Sequence, residues 1–142
     1  MANQHDLAEQ LLQRASDDEA AARAMLPIES VTDMIVGTLA QQAVEKSIKA
    51  VLVARGVDFP FTHDIGGLVR ICNEAEAPLP DDLGEADQLT PYAGAVRYDA
   101  EDPKLIDRAT ALSWATAAVA WARAQVESAA APAAETEDQE GT

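Results

Sequence analysis

The chain has 142 residues, a length that suits one domain rather than two small cores. Hydrophobic residues make up 48% of it but aromatics only 4%, so Ala, Leu, Val and Ile must fill the interior, a mixture that favours helix on helix over a sheet. The formal charge is -15, and residues 1–126 keep -10 of it once Glu127, Glu135, Glu137, Asp138 and Glu140 are set aside; such a field repels nucleic acid and requires a local basic cluster for any phosphate contact.

Residues 6–26 read as the first helix. Leu7, Ala8, Leu11, Ala15, Ala22, Met25 and Leu26 recur on one stripe, Asp6 is the expected N-cap and Pro27 the stop. The second helix runs from Asp33 to Arg55 between Thr32 as N-cap and Gly56 as terminator. Val36, Leu39, Ala40, Ala43, Val44, Ile48 and Val51 form its core side, and Gln42, Glu45, Lys46 and Lys49 its solvated side. After a short connection through Phe59-Pro60-Phe61, Thr62 is expected to cap a third helix reaching Ala75, with Ile65, Leu68, Val69 and Cys72 inward. Gly66 and Gly67 in its first turn cost roughly 1 kcal/mol each against Ala and point to close backbone packing.

Pro78 and Pro80 stiffen the next link, and a broken helical segment follows over 81–98, restarted by Thr90-Pro91. Asp102-Pro103 opens the last helix, 103–129. Leu105, Ala109, Leu112, Thr116 and Val119 lie on one side of it, and Trp114, Ala118 and Trp121 nearly opposite. A helix apolar on both sides is buried twice, and in so small a domain a subunit interface through Trp114 and Trp121 is preferred over a wrapped internal core. Residues 130–142 read as a disordered acidic tail. The expected fold is all-α: an antiparallel up-and-down bundle of about five helices in a single domain, 1–129.

Several chemistries are excluded or unsupported. Cys72 is the only cysteine, so neither an internal disulfide nor a multi-thiolate metal site can form, and its place in an apolar stripe makes it an inert filler. Gly66-Gly67 is not followed by the Gly-Lys-Ser/Thr of a phosphate loop, no His/Glu spacing suits a metal, and Ser113 has no His partner. No signal peptide or spanning segment is visible, so a soluble cytoplasmic protein without cofactor or metal is expected.

The middle of the chain resembles the HEPN family (higher-eukaryote and prokaryote nucleotide-binding domain). The resemblance is carried by residues 40–52 (Ala-Gln-Gln-Ala-Val-Glu-Lys-Ser-Ile-Lys-Ala-Val-Leu), Arg55-Gly56-Val57, Pro60-Phe61-Thr62-His63-Asp64-Ile65 with Leu68, and Leu89-Thr90-Pro91-Tyr92-Ala93 through Val96-Arg97-Tyr98. It implies a helical bundle that often forms a homodimer and is often paired with a minimal nucleotidyltransferase as a toxin–antitoxin system. Many such members are metal-independent ribonucleases whose signature is an Arg, four to six residues, then a His. Here seven residues, 56–62, separate Arg55 from His63, and His5 has no Arg before it, so that signature is absent or stretched.

Two functions follow. In the first, favoured, reading the protein binds a nucleotide or the nucleotidyltransferase partner through Lys46, Lys49, His63, Arg97 and Tyr98. Two lysines three apart can grip phosphate, and a guanidinium beside a phenol offers a fork and a stacking ring. In the second it is a ribonuclease using His63 with Arg55 or Arg97, since an imidazole titrates near neutrality and suits proton transfer. For each residue an ordinary structural role competes: a solvated lysine face, a packing histidine, an Arg97 paired to a carboxylate of the first or second helix and a Tyr98 sealing the core, with Tyr92 read as core.

Overall fold

The second helix is the organising element, and its residues explain why. In a computed structural model describing residues 3–93 and 106–141 (for 131–141 the helical path only), α2 spans Asp33–Ala54 and buries residues on most of its circumference. Val36, Ala40, Ala43, Val44, Ile48 and Val51 are inside as expected, joined by Ala50 and Leu52. Thr32 Oγ1 accepts the Ile35 N–H at 3.3 Å, and Gly56 ends the helix at φ +69°, a conformation that favours glycine. α1 (Gln4–Met25) packs along α2, and α4 (Arg108–Gly141) covers both in an antiparallel, up-and-down arrangement. α3 (Ile65–Glu74) and two 3-10 helices, Asp81–Leu83 and Ala86–Ala93, close the remaining side of α2 and α4. The described residues contain no strand.

Several boundaries differ from expectation, each for a local reason. α1 starts earlier: Asn3 is its N-cap, accepting the Asp6 N–H at 2.9 Å, while the Asp6 carboxylate accepts the Asn3 N–H at 3.4 Å, a reciprocal capping box. Its buried stripe is Ala8, Leu12, Ala15 and Ala22, and Leu7 points outward. α3 begins after Asp64, because Thr62 Oγ1 accepts the Asp64 N–H and the first free donor of α3, Ile65 N–H, goes to Thr90 Oγ1 at 3.1 Å. Thr90 thus caps α3 from a distance instead of restarting its own helix, and Pro91 sits inside the second 3-10 helix. Asp102, Pro103 and Leu105 lie outside the described residues; the Asp107 carboxylate accepts the Thr110 N–H at the start of α4. The helical path of α4 continues to Gly141.

Two contacts lock the bundle. Arg108 bonds Asp33 Oδ1 through Nε at 2.6 Å, and its guanidinium also donates to the carbonyls of Met25, Leu26, Ile28 and Val31. One side chain of α4 therefore satisfies the α1–α2 connection. Tyr92 lies across Gly37, where any Cβ would overlap its ring, and its hydroxyl accepts the Ile106 N–H at 2.9 Å.

Candidate functional site

Gln41, Glu45 and Lys49 follow one another at four-residue intervals, so α2 stacks them on one face. The chain after α2 folds Phe59, Phe61 and His63 back over that face, and the result corrects the expectation of a solvated side: Glu45 is only 5% exposed. Its Oε1 accepts Gln41 Nε2 at 2.7 Å and pairs with His63 Nδ1 at 2.9 Å, and its Oε2 accepts Lys49 Nζ at 2.9 Å. Gln42 Nε2 donates to Gln41 Oε1 at 2.7 Å and extends the network to the rim.

Burial pushes the Glu45 carboxyl up, but the bonds from Lys49, His63 and Gln41, with the Lys49 charge, outweigh it and hold Glu45 below its ordinary pKa. Glu45 is thus ionised at neutral pH and can only accept. His63 must then carry its proton on Nδ1, which leaves Nε2 as the outward, chemically free nitrogen of a half-exposed ring. Among the described residues no protein group bonds that nitrogen. Lys49 Nζ lies 5.9 Å from the Phe59 ring centre and 5.8 Å from that of Phe61, within cation–π range of both. Phe61 is 95% exposed and meets His63 edge to face at 6.0 Å.

Of the residues singled out from sequence, Lys49 and His63 come together through Glu45. Lys46 does not join them as an open phosphate grip, because Asp18 of α1 holds its ammonium at 2.7 Å. Arg55, the C-cap residue of α2, donates to Gln125 Oε1 at 3.1 Å and, among the described residues, shares no hydrogen bond with His63. Arg97 and Tyr98 lie outside the described residues. Trp114 is buried in this chain's own core, and Trp121 packs against that core partly buried. α4 is met by α1, α2 and both 3-10 helices. Burial pushes the Cys72 thiol up to about 11 despite Arg55 nearby, so it is unreactive.

Glu45, Gln41 and Phe61 were not assigned roles from sequence. Two signals point to them: the four-residue spacing of Gln41, Glu45 and Lys49, and a Phe-Pro-Phe link too short to bury both rings. Among the described residues no group of three or more His, Cys, Asp or Glu is placed to hold a metal, and no helix is long and apolar enough to cross a membrane.

These features define a class: an all-helical bundle whose central helix carries an internal Glu–Lys–His network where the chain turns toward α3. A family model described as HEPN domain matches residues 8–127, from the first turns of α1 well into α4, and the chain belongs to that family. No curated protein and no solved structure matches it.

Proposed function

We propose that this HEPN protein is the binding component of a two-protein, toxin–antitoxin type system, and that it receives a nucleotide, free or presented by a nucleotidyltransferase partner. The observation that carries this reading is His63. Buried Glu45 holds it by Nδ1, so Nε2 faces outward beside the exposed Phe61 ring. The Nε2 lone pair suits a ribose hydroxyl or a base N–H, and an exposed ring suits the face of a base. Both lysines of α2 are already neutralised by carboxylates, and the Arg55 guanidinium is turned to Gln125. That arrangement favours modest binding over cleavage, since RNA scission by an Arg/His pair needs both groups at one phosphate.

One observation favours the second reading, a metal-independent ribonuclease: a carboxylate-oriented imidazole is also how a general base is positioned. The two readings are separated by one set of measurements on the full chain. Millimolar ATP or AMP should raise the melting temperature of the wild type, a ligand at 100 times its dissociation constant adding about 2.7 kcal/mol, and His63→Ala should abolish the rise. Mixed RNA should survive incubation with either protein. Cleavage that disappears in His63→Ala would establish the enzyme and overturn the binding role, and an unmoved melting temperature would remove the nucleotide.

A further inference from the structure

The hydrogens around Glu45 have one consistent arrangement, and it sets what the outer ends of the network can bind. Glu45 is buried and ionised, so both of its oxygens can only accept. Oε1 is shared: it takes one hydrogen from Gln41 Nε2 at 2.7 Å and one from His63 Nδ1 at 2.9 Å. Gln41 has therefore turned its amide nitrogen toward Glu45 and its oxygen the other way. That oxygen also can only accept, so Gln42 must present Nε2 to it, at 2.7 Å. One carboxylate thus fixes the tautomer of His63 and the amide orientations of Gln41 and Gln42.

Two of these side chains reach the surface. Gln41 is fully buried, whereas Gln42 is half-buried and His63 half-exposed. Gln42 stands three residues before Glu45 on α2, so the two are neighbours on the helix surface. What the network leaves over is the His63 Nε2 lone pair, Gln42 Oε1 and the second hydrogen of Gln42 Nε2; among the described residues no protein group bonds any of them. That is two acceptors and one donor, without a spare positive charge, because Asp18 holds Lys46 and Glu45 holds Lys49. A phosphate oxygen brings only lone pairs to such a set, and the overall charge of -15 repels it. The complement is a flat edge with two donors beside one acceptor. Bases with an exocyclic amino group offer it, whereas hypoxanthine and uracil each bring a single edge N–H. The exposed Phe61 ring beside His63 takes the face of the same base.

Resting on the nucleotide-binding role proposed above, we infer that His63 and Gln42, oriented by Glu45, select a base with an exocyclic amino group and leave its phosphates in solvent. Glu45 and Gln41 are positioning residues; His63 and Gln42 touch the ligand.

The test is titration of the full chain, followed by amide shifts in NMR, with adenosine, inosine, cytidine, uridine, AMP and dideoxyadenosine, which lacks the ribose diol. Adenosine and cytidine should bind about tenfold more tightly than inosine and uridine, which leave an acceptor of the site unpaired. Dideoxyadenosine should match adenosine, and AMP should bind no more tightly than adenosine. Gln42→Leu should lower adenosine to the level of inosine. Glu45→Gln, whose amide can donate as well as accept, should bring adenosine and inosine within about twofold of each other. A merely structural Glu45 would not move a further readout, the ring-nitrogen resonances of His63 in the ligand-free protein above neutral pH. They should report the proton on Nδ1 in the wild type and a mixture of tautomers in Glu45→Gln. Equal binding of adenosine and inosine, loss of affinity with the diol, AMP binding well above adenosine, or a wild-type His63 protonated on Nε2 would each overturn the selectivity and leave nucleotide binding standing. Absence of saturable shifts with every probe would overturn both.

Discussion

Arg108 and Glu45 are two charges placed inside the same bundle, and they are used differently. Arg108 reaches out of α4 and gives its donors to Asp33 and to the carbonyls of Met25, Leu26, Ile28 and Val31. Every partner belongs to the connection it braces, and four of the five are backbone atoms. Glu45 gathers Gln41, Lys49 and His63, all side chains, and one of them keeps a free nitrogen at the surface. The first cluster is closed and holds the chain path. The second is closed on the inside and open outside, which is the condition for chemistry: a fixed group with an unspent valence.

Breaking the closed cluster should have the largest effect. Arg108→Met removes the charge-assisted bond to Asp33 and leaves inward-facing carbonyls without donors, a loss of about 3 kcal/mol, read as a lower urea midpoint at unchanged slope. Arg108→Lys should recover only part of it, because an ammonium cannot span the same fan of acceptors. A loss below about 1 kcal/mol would mean that the α1–α2 connection does not depend on the clamp.

Glu45→Gln comes next, at roughly 1–2 kcal/mol near neutral pH, since it weakens three bonds without opening a cavity. Here pH sharpens the comparison. Folding lowers the Glu45 pKa from its ordinary 4.5, so its contribution is fully present above that value and is lost as pH falls through the folded one. The stability gap between wild type and Glu45→Gln should therefore narrow as the pH is lowered past 4.5. A gap that stays constant through this acid range would show that the Glu45 charge contributes nothing to the fold.

The helices were legible because burial imposes a 3.6-residue period: α2 was read from Thr32 to Gly56 almost residue for residue, and the inward faces of Ile65, Leu68 and Cys72 followed likewise. What was not legible depends on contacts distant in sequence. Glu45 reads as a solvated acid on its helix alone, and only the return of the chain through Phe59–His63 buries it. Thr90 looks like the start of a helix until its hydroxyl is seen capping α3. The twin apolar sides of α4 imply two buried contacts but not which elements make them, and α1, α2 and both 3-10 helices touch this helix. At the candidate site the family pattern led to His63 and Lys49, while the exposed Phe61 ring has no periodic signature.

Phe61→Ala should have the smallest effect on stability and is the sharpest test of the open cluster. The side chain is 95% exposed, so its removal changes little buried area, and its contact with Lys49 is secondary to the Lys49–Glu45 ion pair. The melting temperature should stay within error of the wild type. The rise produced by millimolar nucleotide should shrink, because a stacked base loses its platform, whereas a structural Phe61 would move both readouts together. A variant that melts early would place the ring among the supports of the link and leave His63 without a companion surface. An unchanged melting temperature with an unchanged nucleotide response would leave the imidazole alone to hold the ligand.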